Sequence, residues 1–310
     1  MNLIKTLFSL HFLILTTAYA APSPEALQLI NQGYSRQISA TKNLASQTPL
    51  GCEVSNLAIQ GQDPITGEMR EVTAQAYEKG RNSADAKTIL LLPPTGGENP
   101  LDRNMAGFLC GLGFRVVVVR GWKYDDEVSV EDFGFHDRQS IRMAAALRHV
   151  VEYINPTRPK QLGVLGTSLG GIRASFLLGI EPRVAAGVLI VAGGGMPEII
   201  SSSTEEGLTK LREARMARFS FASVDNYQAE LSRHIKIDAL DFIGSSGEKN
   251  VLMVIAGNDT TVPTQSQLRL HQAFGSQDRI DYSGNHLEAI VAAFSLNGLR
   301  FASFFNSNLD

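Results

Sequence analysis

Three residues of this chain, Ser168, Asp259 and His286, could together perform nucleophilic chemistry. A serine hydroxyl is a weak nucleophile at neutral pH. It needs a base to take its proton, and a histidine base needs a carboxylate to fix its tautomer. Ser168 lies in Gly166-Thr167-Ser168-Leu169-Gly170, a G-x-S-x-G pentapeptide. An apolar run, Gln161 to Leu165, precedes it, and a helical pattern, Gly170 to Leu178, follows. Strand, tight turn and helix are the setting of a nucleophile elbow. The flanking glycines let strand and helix approach while the serine takes a strained backbone conformation. The helix N-terminus then offers free N–H groups to a developing oxyanion.

Asp259 follows the apolar run Val251 to Ala256, within Gly257-Asn258-Asp259-Thr260-Thr261-Val262-Pro263. That places it in a loop at the C-terminal end of a strand, where ligands meet open α/β sheets. His286, in Gly284-Asn285-His286-Leu287, falls between a weak strand (Arg279 to Tyr282) and the last helix. Each has a plainer reading, Asp259 as a turn former and His286 as a helix N-terminal residue. Their shared loop placement and the order Ser168, Asp259, His286 favour the chemical reading. The other histidines compete poorly. His136, His149 and His271 fall on or beside framework helices, His234 lies in an insertion, and His11 belongs to a leader. Asp238 and Asp241 precede their strand instead of following it.

A tetrahedral oxyanion needs two N–H donors. Leu169, next after the serine, supplies one. The loop after Thr88–Leu92 reads Pro93-Pro94-Thr95-Gly96-Gly97, and because prolines have no N–H the second donor is Thr95 or Gly96. A phosphate loop is disfavoured there, for the G-x-x-x-x-G-K-[ST] spacing is missing.

The elements that must hold these residues follow from apolar patterning. The runs Thr88–Leu92, Phe114–Val119, Gln161–Leu165, Val184–Val191 and Val251–Ala256 read as parallel strands buried on both faces. Helices at Leu101–Leu112, His136–Ile154, Gly170–Leu178 and Thr264–Phe274 alternate with them, and one long helix, Leu287 to about Phe305, ends the chain. Upstream, Cys52–Ile59 and Glu71–Tyr77 alternate about an Asp-Pro-Ile-Thr-Gly turn and predict an antiparallel hairpin. Pro24–Ile38 reads as helical and is followed by a polar stretch. The expected fold is therefore α/β: a doubly wound, mostly parallel sheet with an N-terminal hairpin. Residues 193–237 are longer than an ordinary crossover and carry two helical pieces, Glu205–Ala217 and Asp225–Ile235. Two readings stay open, a lid over the site or a long crossover packed on the sheet.

The chain resembles the α/β-hydrolase superfamily, nearest in style to dienelactone-hydrolase-like and prolyl-oligopeptidase-like esterases and peptidases. The resemblance covers roughly Thr88 to Phe305 and rests on the three motifs around Ser168, Asp259 and His286. It implies Ser168 as nucleophile, Asp259 as acid and His286 as base, acting through an acyl-enzyme without a cofactor. Many lipases and esterases have His-Gly where this chain has Pro-Pro-Thr-Gly-Gly, which leaves the second oxyanion donor and the acyl preference open. The expected partner is a small acyl substrate. Ester hydrolysis leads; peptide hydrolysis, acyl transfer and a non-catalytic binding role on the same fold are the alternatives.

The remaining composition sets bounds. The 310 residues are 44% hydrophobic and 19% charged with a net charge of −3, an ordinary globular profile without the basic bias of a nucleic-acid binder. Residues 1–20 combine Lys5, an apolar core from Leu7 to Leu15 and an Ala18-Tyr19-Ala20 cleavage site. They read as a secretory leader, its core too short to span a bilayer, and predict a secreted or periplasmic domain over residues 21–310 with no membrane span of its own. The two cysteines, Cys52 and Cys110, form either one disulfide or two separate thiols. No Cys/His cluster suggests a metal.

Overall fold

The structure is a computed structural model that describes residues 23–80, 86–122, 128–154, 160–245, 247–276 and 278–310. The expected leader, residues 1–20, lies outside the described residues. Nine strands form one sheet: β1 (Ile38–Gln47), β2 (Glu53–Gln62), β3 (Met69–Glu78), β4 (Thr88–Leu92), β5 (Arg115–Trp122), β6 (Leu162–Thr167), β7 (Val184–Ile190), β8 (Asn250–Ala256) and β9 (Arg279–Tyr282). Their order is β1-β2-β3-β5-β4-β6-β7-β8-β9. The pairs from β1 to β5 are antiparallel, and those from β5 to β9 are parallel.

The chain runs from β4 outward to β5, then returns across β4 to start β6. The carboxyl ends of β4 and β6 therefore flank a crevice at the switch point, where open α/β sheets bind ligands. Both the Pro93–Gly97 loop and Ser168 emerge there.

Strand side chains alternate between two cores, as the period of two requires. Leu90, Leu92, Val117 and Val119 pack on one face with α1 (Pro24–Asn31), α3 (Phe135–Ile154) and α4 (Leu169–Ile180). Ile89, Leu91, Val116 and Val118 pack on the other with α2 (Pro100–Gly111), α9 (His286–Leu296) and α10 (Gly298–Asn308). Burial on both faces explains why these strands read as unbroken apolar runs.

Two expectations need correction. The polar stretch after α1 is β1, an edge strand exposed along nearly its whole length and paired antiparallel to β2. Its Ser, Thr, Lys and Asn residues suit an edge that must not recruit other strands, and they hid it from a reading based on apolar alternation. The helical piece is correspondingly shorter: it stops at Asn31, seven residues before Ile38. The final helix is two helices, bent by 71° at the break between α9 and α10. Gly298 opens α10 with its Cα against the Phe108 ring, where an added Cβ would lie 2.9 Å from a ring carbon.

Between β7 and β8 the insertion holds three helices, α5 (Met196–Ser202), α6 (Glu206–Phe219) and α7 (Val224–His234). Thr264–Phe274, α8, lies as expected. The insertion has its own small core of Ile200, Tyr227, Leu231 and Ile235, joined by Phe133. Arg215 of α6, fully buried, ties it to the segment before α3. Its guanidinium donates to the Val130 carbonyl at 3.1 Å and the Asp132 carbonyl at 2.7 Å, and lies 4.4 Å from the Phe133 ring centroid. Cys52, just ahead of β2, and Cys110 of α2 form a disulfide with Cα atoms 6.4 Å apart. The link closes one edge of the antiparallel part onto the second core.

Candidate active site

Ser168 is the non-helical residue between β6 and α4. Its backbone has φ 54° and ψ −122°, a left-handed φ that costs a residue with a Cβ about 1–3 kcal/mol. The turn is locked from both sides. The Ser168 N–H donates to the Ile190 carbonyl at 2.8 Å, and the Ser168 carbonyl accepts the first helical bond, from Ile172. The glycines of the pentapeptide have steric reasons of their own. A Cβ on Gly166 would lie 2.3 Å from the Gly170 carbonyl oxygen, and one on Gly170 would lie 2.0 Å from the Leu92 carbonyl oxygen. The elbow is therefore wedged against the end of β4, which carries the Pro93–Gly97 loop.

His286 is the first residue of α9. Asn285 caps that helix, accepting from the Glu288 N–H while the Glu288 carboxylate accepts from the Asn285 N–H. This reciprocal cap sets where the imidazole leaves the backbone. The His286 Nε2 lies 2.9 Å from the Ser168 Oγ, and its Nδ1 lies 2.6 Å from the Asp259 Oδ2. The Asp259 carboxylate is wholly buried, whereas the imidazole stays 17% exposed, so the ring can meet a bound molecule and the acid cannot.

The turn-forming and histidine-facing readings of Asp259 prove compatible, because its two oxygens divide the tasks. Oδ1 accepts from the backbone N–H groups of Thr261 (2.8 Å) and Val262 (3.0 Å). Oδ2 faces His286 and accepts from the Gln267 side-chain amide at 2.8 Å. Gln267, fully buried on α8, also donates to the Val262 carbonyl at 2.7 Å and accepts from the Ala256 N–H at 3.1 Å. Sequence reading missed this residue. The available signal was its place three residues before Leu270, a polar side chain on the inward face of an amphipathic helix.

A cavity of about 360 Å³ opens at Ser168, between α3, α4, α5 and the start of α6. Its walls are mainly apolar, among them Met143, Ile172, Phe176, Ile199 and Ile200. The insertion supplies part of this lining and is anchored to the Asp259 loop: Ser203 Oγ donates to the Thr261 carbonyl at 2.6 Å, and the Thr204 N–H donates to the Thr260 carbonyl at 2.9 Å. A second cavity, about 310 Å³, is lined by the Pro93–Gly97 loop together with Val119, Arg120 and Leu169. Thr95 and Leu169 border both cavities, while Gly96 borders only the second. The Gly97 N–H is committed to the Pro94 carbonyl at 3.1 Å.

The rival residues have other tasks. His149 Nε2 lies 2.9 Å from the Ser35 carbonyl, and its ring stacks on Tyr34. His234 pairs with Glu230 at 2.9 Å. Asp238 accepts from the backbone N–H groups of Gly195 and Met196 and so fixes the start of α5. His136 lies on the framework helix α3, as expected. It lines the main cavity, where burial, reinforced by the Arg215 charge, pushes its pKa down to about 4, so it is neutral at pH 7.

No protein-family model and no curated protein matches this sequence. Solved structures do resemble its fold. Acetyl xylan esterase 1 from Thermoanaerobacterium sp. JW/SL YS485 superposes with a TM-score of 0.64 at 15% identity, over 90% of this chain and 95% of that one. An acetyl xylan esterase from Paenibacillus sp. R4 gives 0.65 at 16% identity, over 92% of each chain. A putative dienelactone hydrolase from Klebsiella pneumoniae subsp. pneumoniae MGH 78578 gives 0.50 at 14% identity, over 87% of this chain and 99% of that one. At these identities the likeness is one of fold, and the fold is that of the α/β hydrolases.

Proposed function

We propose that this protein is a serine hydrolase that cleaves carboxylic esters through Ser168, His286 and Asp259. One observation carries the reading: the imidazole of His286 bridges a strained serine and a buried carboxylate, at 2.9 Å and 2.6 Å. Nδ1–H donates to Asp259 Oδ2, which leaves Nε2 free to take the Ser168 proton. The Ser168 Oγ then attacks the ester carbonyl carbon. Negative charge collects on the carbonyl oxygen, where the Leu169 N–H and a donor from the β4 loop receive it. Thr95 is the better-placed second donor because it borders both cavities. The tetrahedral species collapses, the alcohol leaves with the proton from His286, and water hydrolyses the acyl-enzyme by the same route.

Esterases among the similar folds support ester cleavage ahead of peptide cleavage or acyl transfer. The disulfide agrees with an oxidising compartment, and together with the leader-like N-terminus it supports export to the periplasm or beyond.

The test is labelling with a fluorophosphonate, combined with kinetics on a chromogenic ester. Wild-type protein is expected to label at Ser168. Ser168→Ala is expected to lose label and at least about 10⁴-fold in kcat. Retention of activity in that variant, or folded wild-type protein that neither labels nor turns over any ester, would refute the reading and favour a binding role.

A further inference from the structure

The main cavity runs between α3 and α4. These helices follow β5 and β6, which lie parallel to β4 on either side of it, and both pack on the same face of the sheet. Both therefore run away from the carboxyl edge where Ser168 lies. From α4 the cavity takes Leu169, Ile172 and Phe176, a stripe at helical spacing that starts beside Ser168. From α3 it takes His136, Gln139 and Ser140 in the first turns and Met143 farther in. Polar groups thus gather at the entrance of the α3 wall. Met143, Ile172 and Phe176 beyond them belong to the apolar core of that face, and α5 adds the buried Ile199 and Ile200. The charged residues of the lining are Arg173, on the flank of the stripe that borders the second cavity, and Glu205, whose carboxylate caps α6.

The stripe sets a length. Phe176 lies eight residues beyond Ser168, about 12 Å along the helix axis. Helix side chains lean toward the N-terminus, so the Phe176 ring closes that line at about 10 Å. Carbon–carbon bonds of about 1.5 Å, set in a zigzag, advance about 1.3 Å each, so this depth takes a chain of about six to eight carbons. An acetyl group would leave most of it empty. The catalytic geometry sets which side of the ester enters. The leaving alcohol collects its proton from His286 Nε2 and must lie against it. His286 borders neither cavity, whereas Ser168 lines the main one. The alcohol therefore points away from the main cavity and the acyl group points into it.

Building on the ester-hydrolase reading, we infer that the substrates are esters of medium-chain, apolar acids of about six to eight carbons, with Met143 and Phe176 setting the chain length. The acyl chain lies along α4 and its end meets the Phe176 ring. Each methylene buried there removes apolar surface from water, which is worth up to about fourfold in kcat/KM. The gain stops where the cavity stops, because a longer chain has to displace packed side chains.

The test has two arms. Ethyl hexanoate and hexyl acetate are isomers of equal carbon count that differ in which side carries the chain. Wild-type kcat/KM is expected to favour ethyl hexanoate by about 10-fold or more. The 4-nitrophenyl esters from acetate to dodecanoate, each kept dissolved as monomer, should rise to a maximum at hexanoate or octanoate and then fall. Met143→Phe, which fills part of the cavity, is expected to lower the octanoate-to-acetate ratio by at least about 10-fold. Phe176→Leu, which opens its end, is expected to move the maximum to a longer chain. Should one variant fail to fold, the other decides; should both fail, the isomer pair and the wild-type profile decide. A maximum at acetate, a rate still rising at dodecanoate, or a preference for hexyl acetate overturns the inference while leaving the hydrolase reading intact. So do folded variants that slow every ester alike, as purely structural side chains would. Absence of hydrolysis of all these esters overturns both.

Discussion

The Gln267 amide donates to the same oxygen of Asp259 that faces His286, at 2.8 Å, and so holds the carboxylate in register with the imidazole. Gln267→Ala leaves Asp259 Oδ2 and the Ala256 N–H short of a buried partner each. A stability loss of about 1–3 kcal/mol is expected, read from urea unfolding. Ester turnover is expected to fall by up to about 100-fold in kcat with KM little changed, since the residue positions the acid and meets no substrate. Asp259→Asn should cost more, on the order of 10⁴-fold in kcat. Unaltered kcat in Gln267→Ala would show that Asp259 is positioned by its turn alone.

The elbow has no room behind it. Gly170→Ala sets a Cβ 2.0 Å from the Leu92 carbonyl oxygen and 2.4 Å from that of Pro93, both backbone atoms. Destabilisation of at least about 1–3 kcal/mol is expected, together with loss of activity as the β4 loop is displaced. Gly121→Ala, a strand position with open space around it, serves as the stability control and should fall within about 0.5 kcal/mol of wild type. Equal unfolding midpoints for the two variants would contradict the close approach.

The disulfide closes a 58-residue separation. The chain-entropy argument gives about 4 kcal/mol for a loop of that size. Cys52→Ala/Cys110→Ala, or the reduced protein, is expected to unfold at markedly lower denaturant. Neither cysteine lines either cavity, so kcat of the folded protein should be unchanged.

His136 predicts an acid-sensitive fold. Its folded pKa of about 4 lies below the ordinary 6.5, so below pH 6.5 the unfolded chain takes up a proton that the native state refuses. The stability it contributes is full above pH 6.5 and is lost as pH falls toward 4. Between pH 7 and pH 5 the loss is about 2 kcal/mol. Asp102 works in the opposite sense: burial pushes its pKa up to about 6, so the native state binds a proton more readily than the unfolded chain in the same range. The comparison must therefore be between wild type and His136→Phe, whose unfolding midpoint should fall less on acidification. Parallel pH profiles for the two would exclude the effect.

Much of the architecture was legible because it follows from local rules. Unbroken apolar runs such as Thr88–Leu92 are what strands buried on both faces require, and the glycine-flanked serine states its turn in five residues. The edge strand β1 was not legible, because an exposed edge pairs through backbone groups and leaves no side-chain pattern. The break at Asn297 was likewise hidden: the residue after it, Gly298, packs against the Phe108 ring of a distant helix, a contact that no local pattern records.

The chain alone determined which residue types stood at strand ends, and their order, because motif chemistry and periodicity are local. Only the folded structure decided that the imidazole of His286 meets a hydroxyl 118 positions away and a carboxylate 27 away. It alone also placed Gln267 behind that carboxylate and Arg173 in the wall of both cavities. Such meetings are set by how helices pack across the sheet, and packing distances are not written in any single segment.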